Sequence, residues 1–197
     1  MKILISGGCK NGKSSIAEAW IDRVADRARP LYYLATMVPK DEEDHSRIQT
    51  HRSNRAEIPF TTIEVTSDIH HVIGQCDPDG FYLLDSTTAL LENEMFRPDR
   101  PINRNAGQKI IADLDTLLDR IGHIMIVSDY IFSDAFHYDE LTEDFRRSLA
   151  QIDRALAVRC DLVLEVCFGQ VIVHKGQDQL NQQSLLQGLN LKTRCDS

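Results

Sequence analysis

The sequence lacks any run near the roughly eighteen consecutive apolar residues that a membrane-spanning helix needs, so no span is expected. The first apolar run, Ile3-Leu4-Ile5, is too short for a secretory signal and passes at once into Ser6-Gly7-Gly8. Cysteine is sparse and unpatterned. Cys9, Cys76, Cys160, Cys167 and Cys195 are odd in number and form no CxxC pair, which speaks against a disulfide framework or a zinc site and fits a reducing, cytoplasmic setting. Positive charge is in deficit, with 22 Lys and Arg against 30 Asp and Glu, a net charge of −8. A nucleic-acid or anionic-membrane surface is therefore not expected. Internal repeats and low-complexity segments are also missing. What is present is ordinary globular composition, 42% apolar and 26% charged over 197 residues, enough for one domain with a real core.

Short apolar runs alternate with longer amphipathic ones. Strands are expected at 3–6, 31–36, 61–65, 81–85, 124–128, 162–166 and 171–174, several of them continuous rather than alternating, as strands covered on both faces should be. Helices are expected at 13–28, 41–54, 107–121 and 141–159, with Phe145, Leu149, Ile152 and Leu156 forming a stripe on the last. This alternation implies an α/β fold with a mostly parallel sheet, helices on both faces and an antiparallel C-terminal hairpin turning at Phe168-Gly169. Residues 1–176 are expected to form a single α/β domain. The Gln- and Asn-rich residues 177–197 are read as a polar extension, a short helix or a frayed tail. His70-His71 are expected to begin a surface helix, and Trp20 to lie in the core or a subunit contact.

Gly7-Gly8-Cys9-Lys10-Asn11-Gly12-Lys13-Ser14 fits G-x-x-x-x-G-K-[ST] between a strand and a helix. Glycines let successive backbone N–H groups turn toward phosphate oxygens, and the helix start adds its positive dipole end. Lys13 then reaches the outer phosphates and the Ser14 hydroxyl ligates Mg²⁺. Asp85 ends a strand at the edge where parallel sheets bind ligands, so it is the candidate second metal residue or the group that positions a hydroxyl acceptor. It also suits a helix N-cap region with Ser86-Thr87. Asp129 occupies an equivalent strand end.

The segment 41–55 begins acidic and ends basic, as a solvated helix complementing its own dipole does. Its spacing also places Arg47, His51 and Arg55 on one face with Arg52 adjacent. A histidine among guanidinium groups has reason to stay neutral, and neutral imidazole is a nucleophile toward phosphorus.

Four features together resemble the bifunctional adenosylcobinamide kinase / adenosylcobinamide-phosphate guanylyltransferase family. They are Ile3 to Gly8 with Gly12-Lys13-Ser14-Ser15 and Ala17-Glu18, then Tyr33-Leu34-Ala35-Thr36, then Arg47-Ile48-Gln49-Thr50-His51-Arg52 with Arg55, and finally Thr62-Ile63-Glu64 before Leu83-Leu84-Asp85. The resemblance implies a RecA-like P-loop fold assembled as a homotrimer. It also implies phosphorylation of adenosylcobinamide by ATP or GTP, followed by GMP transfer from GTP through a covalent guanylyl-His51. It implies that Gly7, Gly8, Cys9, Lys10, Asn11, Gly12, Lys13 and Ser14 hold phosphates. Ala35, Thr36, Met37, Arg52, Ser53, Asn54, Arg55, Glu64 and Asp85 would contact guanine nucleotide, with His51, Lys13 and Asp85 catalytic. Departures from the family pattern fall at Ala56, where a proline is usual, and at Ser128-Asp129-Tyr130-Ile131-Phe132-Ser133-Asp134, which lacks the usual asparagine-glutamate pair and glycines. Two alternatives stay open: a kinase with another acceptor or only one of the activities, and a nucleotide-binding module without turnover.

Overall fold

The computed structural model describes residues 1–42, 46, 48, 49, 53, 55–132, 134–178 and 191–192. In chain order the elements are β1 (Lys2–Gly7), α1 (Lys13–Val24), β2 (Leu31–Ala35), β3 (Phe60–Glu64), a 3₁₀ helix (Ile69–Gly74), β4 (Phe81–Asp85) and α2 (Thr87–Met95). They continue with α3 (Ala106–Arg120), β5 (His123–Asp129), α4 (Glu140–Arg159), β6 (Leu162–Cys167), β7 (Gln170–Lys175) and β8 (Leu191–Lys192). Glu42, Ser46, Ile48, Gln49 and Ser53 are also helical. The strands form one sheet in the order β3-β2-β4-β5-β1-β6-β7-β8, parallel throughout except for the β6–β7 hairpin.

The continuous apolar runs are explained by burial on both faces. Ile3, Ile5, Tyr33, Leu83, Met125, Val127, Leu162 and Leu164 pack on one side with Ala17, Trp20 and Ile21 of α1. Leu4, Leu34, Tyr82, Leu84, Ile124 and Ile126 face the other side, against Leu90 of α2, Ile110 and Leu117 of α3, and Leu149 and Ile152 of α4. Alternate side chains of one strand thus serve two cores. Trp20 is a core residue, 2% exposed. The N-terminus of α4 is capped by Asp139, whose side chain accepts from the N–H groups of Leu141 and Thr142.

Three expectations are refined. The segment at His70-His71 is a 3₁₀ turn that begins at Ile69, which is fully buried. There His70 pairs with Asp113 of α3 at 2.8 Å. Residues 87–95, expected only as a helix start, form the whole of α2 and pack on α3 and α4. Leu191–Lys192 from the extension add a short parallel strand to β7, a pairing that a two-residue stretch cannot announce in its own pattern.

Candidate active site

The loop between β1 and α1 has the geometry that its glycines require. A Cβ on Gly7 would lie 2.4 Å from the Val166 carbonyl and 2.5 Å from Asn11 Nδ2, and Gly12 takes φ +89° just before the helix. Asn11 Nδ2 donates to the same Val166 carbonyl, tying the loop to β6. Gly8, Cys9 and Lys10 are exposed, and Ser14 is half-buried in the first turn of α1. Lys13 is buried, 5% exposed. Its Nζ donates to the Gly8 carbonyl at 2.7 Å and to Asp129 Oδ1 at 2.8 Å. Asp129 thus meets Lys13 directly, from the adjacent strand.

Strand register places the other candidates along the same edge. Gly7 is level with Asp129, Ala35 with Asp85, and Ala35 with Glu64. β4 lies two strands from β1, about 10 Å, and β3 lies four strands away, about 19 Å. Asp85 Oδ2 accepts a hydrogen bond from Tyr33 at 2.7 Å. Arg55 is buried and sits over the Tyr33 ring, its Cζ 3.7 Å from the centroid, with Glu18 Oε1 of α1 4.0 Å from its Nη1. Burial raises the Glu18 carboxyl to about 7, helped by the Asp85 charge and opposed by Arg55. Burial foremost, then the Asp85 charge, raises the Tyr33 phenol far above its ordinary range, so it remains a hydrogen-bond donor.

Thr36 is fully buried and braces the β2–β4 edge. Its hydroxyl donates to the Ser86 carbonyl at 2.8 Å and accepts from the Ser86 N–H at 2.7 Å. Met37 is half-buried, whereas Ser53 and Glu64 are exposed. His51, Arg47, Arg52 and Asn54 lie outside the described residues. Sequence reading gave no role to Tyr33 and Glu18 as partners of Asp85 and Arg55. Their only signal was membership of the quoted motifs Tyr33-Leu34-Ala35-Thr36 and Ala17-Glu18. For Mg²⁺, the Ser14 hydroxyl and Asp85 carboxylate are hard oxygen donors at a phosphate loop, the donor type this cation takes, and Tyr33 holds the carboxylate in place.

A second acidic cluster, Asp68, Glu94 and Asp113, brings its oxygens within 4.8 Å of one another. Lys109 Nζ already sits among them at 2.7, 2.6 and 2.8 Å, and Arg97 adds bonds to Asp68 and Glu94. The hydrogen bond from Lys109 foremost holds Asp68 well below the carboxylate range. The cluster is an ion-pair network joining α2 and α3 to the chain after β3.

A parallel sheet with a glycine-rich phosphate loop, a buried loop lysine and carboxylates at adjacent strand ends defines a P-loop nucleotide-binding domain. The fold agrees with that of a solved ATPase domain, at TM-score 0.53 and 10% identity over 90% of this chain and 77% of that one. The profile of the family described as "Cobinamide kinase / cobinamide phosphate guanyltransferase" matches residues 3–173, and the chain belongs to that family. The chain is 27% identical to the "Bifunctional adenosylcobalamin biosynthesis protein CobU" of Escherichia coli over 180 residues, 86% of this chain and 97% of that protein. It is 25% identical to the corresponding protein CobP of Pseudomonas aeruginosa over 181 residues, 90% of this chain and 99% of that one.

Proposed function

We propose that this protein phosphorylates the aminopropanol hydroxyl of adenosylcobinamide with ATP or GTP, then transfers GMP from GTP onto that phosphate through a guanylyl-histidine at His51. Family membership across residues 3–173 supports the reading. The structural observation that carries it is the meeting of Lys13 and Asp129 at 2.8 Å on the edge that also holds Asp85.

In the kinase step the amides of Gly8 to Ser14 cradle the phosphates. Lys13, held ready by Asp129, compensates the charge on the outer phosphate. The acceptor hydroxyl oxygen attacks the γ-phosphorus, the bond to the bridging oxygen breaks, and the nucleoside diphosphate leaves. Asp85 receives the hydroxyl proton or orients it, and Tyr33 fixes that carboxylate. Mg²⁺ held by Ser14 and Asp85 would neutralise phosphate charge.

In the second step a His51 nitrogen attacks the α-phosphorus of GTP and pyrophosphate leaves. An oxygen of adenosylcobinamide phosphate then attacks that phosphorus, the P–N bond breaks, and His51 is regenerated. Ala35, Thr36 and Met37 at the end of β2, residues Arg52 to Arg55, and Glu64 are the guanine-nucleotide contacts in this reading. Residues 1–176 form the catalytic unit, and 177–197 the extension.

The test is incubation with α-labelled GTP and Mg²⁺, followed by intact mass, and a separate assay of phosphate transfer from γ-labelled ATP to adenosylcobinamide. Acid-labile guanylyl label is expected on the wild type and lost in His51→Ala. Phosphate transfer is expected to fall about 10²–10³-fold in Lys13→Ala, as for loss of one preorganised charge-stabilising donor. GTP binding without label would overturn the guanylyl half. Label without phosphate transfer would leave a transferase of one activity.

A further inference from the structure

The chain after β5 is rich in aromatic residues. Tyr130, Phe136 and Tyr138 are 44%, 72% and 44% exposed. Single exposed apolar side chains are ordinary, but three exposed aromatic rings within nine residues of a segment that leaves the catalytic edge are not. Each ring has an aromatic neighbour in the same segment: Tyr130 meets Phe132 edge-on at 4.6 Å, and Phe136 lies 6.4 Å from Tyr138.

The loop is also tied down. The buried Arg146 of α4 donates from Nε to the Ile131 carbonyl at 3.2 Å and from Nη2 to Asp134 at 2.8 Å. It lies 4.8 Å from the centroid of the Tyr138 ring, whose hydroxyl donates to Asp134 at 2.9 Å. A buried cation spent on holding a polar turn leaves the rings presented to solvent on a fixed base.

Position assigns an occupant. β5 lies between β1, which feeds the phosphate loop, and β4, which ends in Asp85. The Tyr130 N–H donates to the Gly7 carbonyl at 2.8 Å, so the loop leaves the sheet beside the phosphates. A hydroxyl acceptor must bring its oxygen to about 3–3.5 Å from the γ-phosphorus, between Lys13 and Asp85. The rest of the acceptor then extends outward past this loop.

We infer that Tyr130, Phe136 and Tyr138 form the platform on which the corrin macrocycle of the acceptor rests while its hydroxyl arm reaches the phosphate loop. A broad, flat and mainly apolar ring system with an amide rim suits aromatic faces with polar tips. The inference rests on the proposed function, since it takes a corrinoid as the acceptor.

The experiment is calorimetric titration of adenosylcobinamide into the full chain saturated with a non-hydrolysable ATP analogue. It uses wild type, Tyr130→Ala/Phe136→Ala and Phe136→Trp, with light scattering of each. The wild type should bind. The double variant should bind at least about tenfold more weakly, keep its affinity for the ATP analogue and its mass, and Phe136→Trp should bind as the wild type does. Equal acceptor affinity in wild type and double variant overturns the platform while leaving the acceptor assignment intact. So does a drop in assembled mass with acceptor affinity kept, which makes the rings a subunit contact. A wild type that binds the ATP analogue but no corrinoid overturns the proposed function itself, and the platform with it.

Discussion

Asp153 shows how much a single residue can reveal that sequence does not. It lies on α4, 8% exposed, and no well-formed hydrogen bond reaches either of its oxygens. Burial foremost, then the nearby Asp129 charge, raises its carboxyl to about 6, and the neighbouring Ser128 hydroxyl offsets part of this. The folded state therefore binds this proton more tightly than the unfolded chain. Its contribution to stability is intact below the ordinary carboxylate range and is lost as pH rises through about 6. Asp153→Asn removes the penalty. Urea unfolding should show the variant up to about 3 kcal/mol more stable at pH 8 and indistinguishable from wild type at pH 3. An equal difference at both pH values would mean that Asp153 is charged and compensated throughout. The placement of Lys13 at the loop before α1 and of Asp85 at the end of β4 was legible because both positions follow from spacing along the chain. The Arg55–Glu18 contact was not, because it joins residues far apart in sequence, and neither residue type at its own position announces an ion-pair partner.

At the scale of elements, the strands were legible because burial on both faces writes itself as an unbroken apolar run, and β4 matches its expected limits of 81–85. α1 is shorter than its pattern, ending at Val24 rather than Ala28; the chain beyond enters the polar turn through Asp26. How helices pack was not legible. α3 and α4 come into close contact where Gly107 meets Ser148, and a Cβ on Gly107 would lie 2.9 Å from Ser148 Cβ. That atom is fixed to the backbone of α4 and cannot swing aside. Gly107→Leu gains up to about 1 kcal/mol of helix propensity, against an overpacking cost of about 1–3 kcal/mol. The expected net outcome is a lower urea midpoint, with the ion pair of Arg159 and Asp119 between the far ends of the same helices too exposed to compensate. A midpoint at or above that of wild type would show that α3 can shift outward without loss.

For the whole molecule, the fold alone leaves function undecided, since P-loop sheets of this kind carry nucleic-acid motors as well as small-molecule kinases. Charge separates the two. Tracking a nucleic-acid backbone needs a cationic groove that releases counterions, whereas this chain carries −8. Many of its cations are already committed: Lys109 and Arg97 to the Asp68 network, Arg104 to Glu140 and Asp144, and Arg146 to Asp134 and Glu143. Lys13 at the catalytic edge is buried beneath its loop, bonded to the Gly8 carbonyl and to Asp129, rather than displayed along a surface. Single-stranded DNA added at physiological salt is therefore expected neither to bind in a fluorescence-anisotropy titration nor to change the rate of nucleotide turnover, while adenosylcobinamide raises that rate. DNA-stimulated turnover that weakens steeply with added salt would place the chain among the motors and set aside the corrinoid reading. Turnover that responds to the corrinoid alone would tie the phosphate loop to a small acceptor reached along the edge formed by β1, β5 and β4.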